Sequence, residues 1–188
     1  MRRQRPSINL TAQLEGVVRD LCARVPEFAH IQPGRILLCL GRTRGPRGGV
    51  FAKIVPMRFP DGTPFKVVKE QQYALPQIPT PDGPILYLIY IYVPRFFEQS
   101  AERRLLTLIH ELFHIAPQFD GTIRRVGNGA HGASRNRFND NLQPLLRRYL
   151  ASSPPAETLA ILHSDLKALA KDNRLTGRSL PLPKAIQL

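Results

Sequence analysis

Apolar residues recur at helical spacing near the start of the chain. Leu10, Leu14, Val17, Val18, Leu21, Cys22 and Val25 fall on one stripe of a 3.6-residue period. Asn9 or Thr11 is placed to cap such a helix and Pro26 to end it, so the pattern predicts an amphipathic helix over 10–25 that packs on a sheet. The period then changes. Arg35–Leu40 reads as a strand, followed by a glycine-rich stretch, 41–49, that carries Arg42, Arg44 and Arg47. That stretch lacks the Lys-Ser/Thr of a phosphate-binding loop and precedes a strand, which excludes the phosphate-cradle reading. A second strand is predicted over Val50–Phe59, at a sheet edge because Pro56 cannot donate to a ladder. Pro60–Pro64 is a turn, Phe65–Val68 a further short strand, and 71–84, with Pro76, Pro79, Pro81 and Pro84, a loop. Ile85–Val93 is apolar throughout and rich in β-branched and aromatic residues, the pattern of a central strand covered on both faces.

The next apolar run, Leu105–Ile115, has a polar triplet inside it: His110, Glu111 and His114, a His-Glu-x-x-His motif. Ser100 is placed as N-cap, Glu98 and Glu102 favour the positive end of the helix dipole, and Pro117 stops the helix. Residues four apart share a helix face, so His110 and His114 can aim two imidazoles at one point about 6 Å apart along the axis. Glu111 can reach a water bound there. Two nitrogen ligands beside a carboxylate that does not itself bind the metal form the core of a zinc hydrolase. Burying that triplet uncompensated in an apolar helix would be costly, and a metal compensates it.

A catalytic zinc needs a third protein ligand and an open position for water. Asp120 lies six residues beyond His114, the metzincin position, but Pro117 stands where that pattern needs glycine and no methionine follows Met57. Asp120-Gly121 is more simply a turn. His131, at the end of Gly127-Asn128-Gly129-Ala130, is the better candidate. It precedes a helical segment with Phe138, Leu142, Leu145, Leu146 and Tyr149 on one face, kinked or restarted at Pro144. A C-terminal helix over Glu157–Lys171 and an extended tail from Arg174 complete the chain. No side chain stands out for holding an oxyanion; Tyr149 and Arg135 are conceivable. His30 and His163 read as structural or surface residues.

A His-Glu-x-x-His helix, a variable loop, then His-Gly opening a further helix resembles the SprT-like and phage-associated metallopeptidases. The residues that carry the likeness are His110, Glu111, His114, His131 and Gly132, with Phe138 in rough correspondence to an aromatic position. The cysteine-rich ribbon of some SprT-like proteins is absent. The resemblance implies that His110, His114 and His131 bind Zn2+ and that Glu111 is the general base of peptide-bond hydrolysis, on a minimal zincin-like domain. The expected fold class is α+β: an N-terminal helix, a small, mostly antiparallel sheet with an edge strand, the motif helix and further C-terminal helices. The expected organisation is a basic arm over 1–9, the metallopeptidase domain over 10–150, and a C-terminal helix and tail over 151–188.

Composition adds a partner question. Lys+Arg is 27 against 14 Asp+Glu, a formal net charge of +13, which suits an anionic partner such as nucleic acid as well as it suits plain solubility. The alternative function is therefore a DNA- or protein-binding module with a structural or sensory zinc and no protease activity. Cys22 and Cys39 are not spaced as a zinc knuckle and read as free buried thiols. The basic start, Met1–Arg5, is followed by no apolar core of a signal peptide, and Ile85–Val93 is too short to span a bilayer as a helix. The expected location is cytoplasmic, with a protein or peptide as substrate and no membrane partner.

Overall fold

The computed structural model describes residues 5–42, 50–125 and 135–188. The arginines at 44 and 47, together with His131 and Gly132, lie outside them. Strand β1 (Ser7–Asn9) runs straight into helix α1 (Leu10–Arg24), where the Asn9 side chain accepts a bond from the Ala12 N–H at 3.1 Å. Strands β2 (Ile36–Arg42), β3 (Ala52–Pro56), β4 (Phe65–Val68), β5 (Gln71–Ala74) and β6 (Tyr87–Val93) follow. Helices α2 (Arg95–Glu98), α3 (Ala101–Phe113), α4 (Arg135–Ala151), α5 (Ala156–His163) and α6 (Leu166–Asp172) come next, then β7 (Arg174–Thr176) and β8 (Ile186–Gln187). The layout is α+β.

The central sheet has the order β2–β6–β3. Strand β6 is central and buried along Tyr87–Ile91, as its unbroken apolar run predicts. The sheet is mixed where a mostly antiparallel one was expected: β6 pairs antiparallel with β3 but parallel with β2. Continuous apolar strands buried on both faces are the ones that pair in parallel, and β2 and β6 both have that character. Leu38, Ile89 and Ile54 line one face, in the main core with α1 and α3; Cys39, Leu88 and Tyr90 line the other with Met57 and Ile85. Both cysteines are free and buried, and burial pushes the Cys22 thiol up to about 12.

Strand β3 is the edge, as Pro56 requires. The Phe51 carbonyl accepts from the Tyr92 N–H and the Met57 N–H donates to the Leu86 carbonyl, both at 2.9 Å. With the Ala52–Ile91 register, odd-numbered residues of β3 therefore bond to β6, while Ala52, Ile54 and Pro56 turn their backbone groups outward. The opposite edge is covered by the returning tail: the Arg178 carbonyl takes the Leu40 N–H at 2.7 Å, and its guanidinium donates to the Leu38 carbonyl at 3.0 Å. The Tyr90 hydroxyl donates to the Pro181 carbonyl at 2.9 Å, and β8 then pairs with β5.

Four further expectations change. Gln71–Ala74, read as the start of a loop, form β5 antiparallel to β4. Ser7–Asn9, read as part of a basic arm, form β1 in parallel with β7. The single C-terminal helix is two, because Asp165 caps α6 by accepting the Ala168 N–H at 2.8 Å. Tyr149 is not an oxyanion candidate. It is fully buried and donates its hydroxyl to Asp20 Oδ2 on α1 at 2.7 Å, with its pKa raised by burial and then by Asp20. Tyr149→Phe is therefore expected to lower unfolding stability by about 1–2 kcal/mol in a denaturant melt, because Asp20 keeps Arg24 as a partner. Peptide turnover should not change; a loss of turnover without loss of stability would return Tyr149 to the site.

Candidate active site

Helix α3 starts where Ser100 accepts the Arg103 N–H at 3.3 Å, with Glu102 in its first turn. Leu105, Leu108, Ile109 and Leu112 face the core, which turns the polar triplet toward the β3 side. His110, Glu111 and His114 are nonetheless only 8%, 7% and 4% exposed. The two imidazoles meet at their outer nitrogens: His110 Nε2 and His114 Nε2 are 3.0 Å apart, with the rings tilted by 76°. His114 is the C-cap but keeps a right-handed helical backbone, φ −70° and ψ −15°, and so stays in register with His110.

The chain beyond His114 folds back onto it. Ile115 pairs antiparallel with Ile123, and the Arg124 N–H donates to the His114 carbonyl at 2.7 Å. The turn of this hairpin is Asp120-Gly121. Gly121 has φ +88°, and a Cβ there would stand 2.5 Å from Arg58 Cγ, so only glycine fits. The Tyr87 hydroxyl accepts the Gly121 N–H at 3.0 Å and donates to the Thr122 carbonyl at 2.9 Å; burial pushes it up to about 12, so the donor proton is held. Asp120 is exposed and its Oδ1 accepts from the Thr122 N–H and hydroxyl at 2.9 and 2.7 Å, a turn-forming role. The Arg124 guanidinium lies over the Phe113 ring, and burial lowers its pKa. The His30 pKa is also held low, first by burial and then by Arg124.

One partner in the site was not read from the sequence. Glu111 Oε2 accepts the main-chain N–H of Ile54, on the outward side of β3, at 2.8 Å. The signal for it was present: Pro56 marks the outward side of the edge, and Ile54 shares that side by the two-residue period of a strand. A cleft of about 570 Å³ opens between the start of β3, α3 and α4, and His110 and Glu111 are in its wall with Ala52, Leu106, Thr107 and Asp140.

The donor set suits a metal ion. Zinc–nitrogen bonds of about 2.0–2.1 Å at near-tetrahedral angles bring two imidazole nitrogens to roughly 3.3 Å, close to the separation seen here. Among the described residues no three His, Cys, Asp or Glu side chains gather at one point. A sequence profile described as putative phage metallopeptidase matches residues 9–139 of 188.

The chain belongs to that family. No curated protein and no solved structure matches it. The matched span takes in α1, the central sheet, α3 and the first turn of α4. The family's description names a peptidase that works with a metal, a class of enzyme whose substrates are proteins. Among the described residues, no helix is long and apolar enough to cross a membrane.

Proposed function

We propose that this chain hydrolyses peptide bonds as a zinc enzyme, with His110, His114 and His131 as metal ligands and Glu111 as general base. The observation that carries the reading is the meeting of His110 Nε2 and His114 Nε2 at 3.0 Å beside an open cleft. When bound, the zinc ion supplies a fixed positive charge that acidifies water and polarises the scissile carbonyl. Glu111 takes the proton from the attacking water and delivers it to the leaving amine. An extended substrate pairs with the outward side of β3, which presents main-chain groups along the cleft.

His131 as third ligand is supported by what flanks its segment. On one side Arg124 is bonded to the His114 carbonyl; on the other, α4 packs on α3 and contributes Asp140 to the cleft wall. Asp120 is already engaged by Thr122. The cleft beside His110 and Glu111 also favours a hydrolytic centre over a closed structural zinc in a binding module.

Metal analysis of the purified chain tests the ligand set. The expected result is stoichiometric zinc in the wild type and in Asp120→Ala, and loss of zinc in His110→Ala, His114→Ala and His131→Ala. Zinc retained in His131→Ala but lost in Asp120→Ala would reverse the assignment of the third ligand.

A further inference from the structure

The 2.8 Å bond between the Ile54 N–H and Glu111 Oε2 divides the open edge of β3 into two parts. Three outward positions are in question. Pro56 has no N–H to offer. The Ile54 N–H is committed to Glu111. Only toward Val50–Ala52, which line the cleft, does the edge present an outward N–H that donates no hydrogen bond among the described residues, that of Ala52.

We propose that the Ile54 main-chain N–H is a positioning group for Glu111, and that it confines strand-like pairing of a peptide substrate to the Val50–Ala52 end of β3. The inference rests on the reading of Glu111 as general base. A glutamate side chain has three rotatable bonds, and a base must lie within hydrogen-bond reach of the proton it takes. A donor fixed in a sheet limits that freedom without adding a charge. The bond joins the motif helix to the one strand on which substrate would lie, so the base and the substrate backbone are referenced to the same rigid edge. Ile54 itself is held there from its other face: its side chain is in the main core, and Ile54 registers with Ile89 of β6.

Backbone ester replacement tests this, because it removes a single N–H and leaves every side chain in place. Replacing isoleucine 54 by its α-hydroxy analogue is expected to lower kcat roughly 10- to 100-fold, with KM and zinc content unchanged. The same replacement at alanine 52 is expected to raise KM roughly fivefold, the equivalent of one ordinary hydrogen bond, with kcat unchanged. A reading independent of turnover comes from the Ile54 amide resonance. It should lie downfield and exchange slowly in the wild type, and move upfield with faster exchange in Glu111→Ala.

An ester at 54 that leaves kcat within about twofold of the wild type overturns the inference, as does an Ile54 amide that ignores Glu111→Ala. If either occurs while Glu111→Gln is inactive, the positioning role fails and the general base stands. If Glu111→Gln turns over peptide normally, both fall together. Should the ester proteins fail to fold, the amide resonance of the full-length chain decides alone.

Discussion

Glu111→Gln is expected to keep its metal and its fold and to lose about 10²- to 10⁴-fold in kcat/KM, the range a positioned general base contributes. The substitution is close to isosteric. The amide oxygen of glutamine can still accept the Ile54 N–H, so the bond at 2.8 Å need not break. What disappears is the capacity to hold a proton between the attacking water and the leaving amine. Zinc stoichiometry, a thermal melt and turnover of an unstructured protein substrate, measured on one preparation, separate the possible causes. Full turnover with full metal would remove Glu111 from the mechanism. Lost metal would mean that the carboxylate helps to hold the ion, contrary to the role assigned to it.

Arg104→Met is expected to reduce unfolding stability by about 3–4 kcal/mol and the melting midpoint by roughly 10 °C, without touching the chemistry. Arg104 lies on α3 and is 7% exposed. Its guanidinium donates to the carbonyls of Leu162 and Ser164 at 2.6 and 2.8 Å and to that of Phe97, whose ring it also covers at 5.2 Å. Three elements therefore converge on one side chain: α3, α2 and the end of α5. The carbonyls at the C-terminus of α5 carry the negative end of its dipole and offset the desolvation that lowers the Arg104 pKa. Methionine fills similar space but leaves those carbonyls without a donor. Arg104→Lys should recover only part of the loss, because one ammonium cannot span three carbonyls from a single point. The contrary outcome has a physical basis: replacing a buried cation can be neutral when apolar packing improves. A melt within 1 °C of wild type would show that outcome here.

The chemistry-bearing residues of α3 were legible because spacing alone dictates that His110 and His114 share a helix face. Strand β6 was legible from its apolar run, and the edge position of β3 from a single proline. The parallel pairing of β2 with β6 was missed, although both have the continuous apolar character of strands with two covered faces. Strands β5, β7 and β8 are two to four residues long. Their pairing is fixed by partners distant in sequence, so no local period could announce them. The break between α5 and α6 depends on Asp165 acting as a cap, a competition between helix continuation and a side-chain acceptor that the helical spacing of Leu159, Leu162, Leu166 and Leu169 conceals. In the sequence Arg104 is one of 27 lysines and arginines, with nothing local to mark it. Only the tertiary position of the α5 carbonyls gives it a buried role.

The tail that lies along β2 has a consequence for self-association. Endless stacking of sheets needs two unpaired margins on every molecule, a donor side and an acceptor side. With Arg178 closing one of them, any strand-to-strand joining of this sheet stops after a single step. The margin that is left is interrupted by a proline and opens beside the histidine pair. On the proposed function, a stray extended segment that adds to the sheet there would be presented as something to cut rather than as a template for growth.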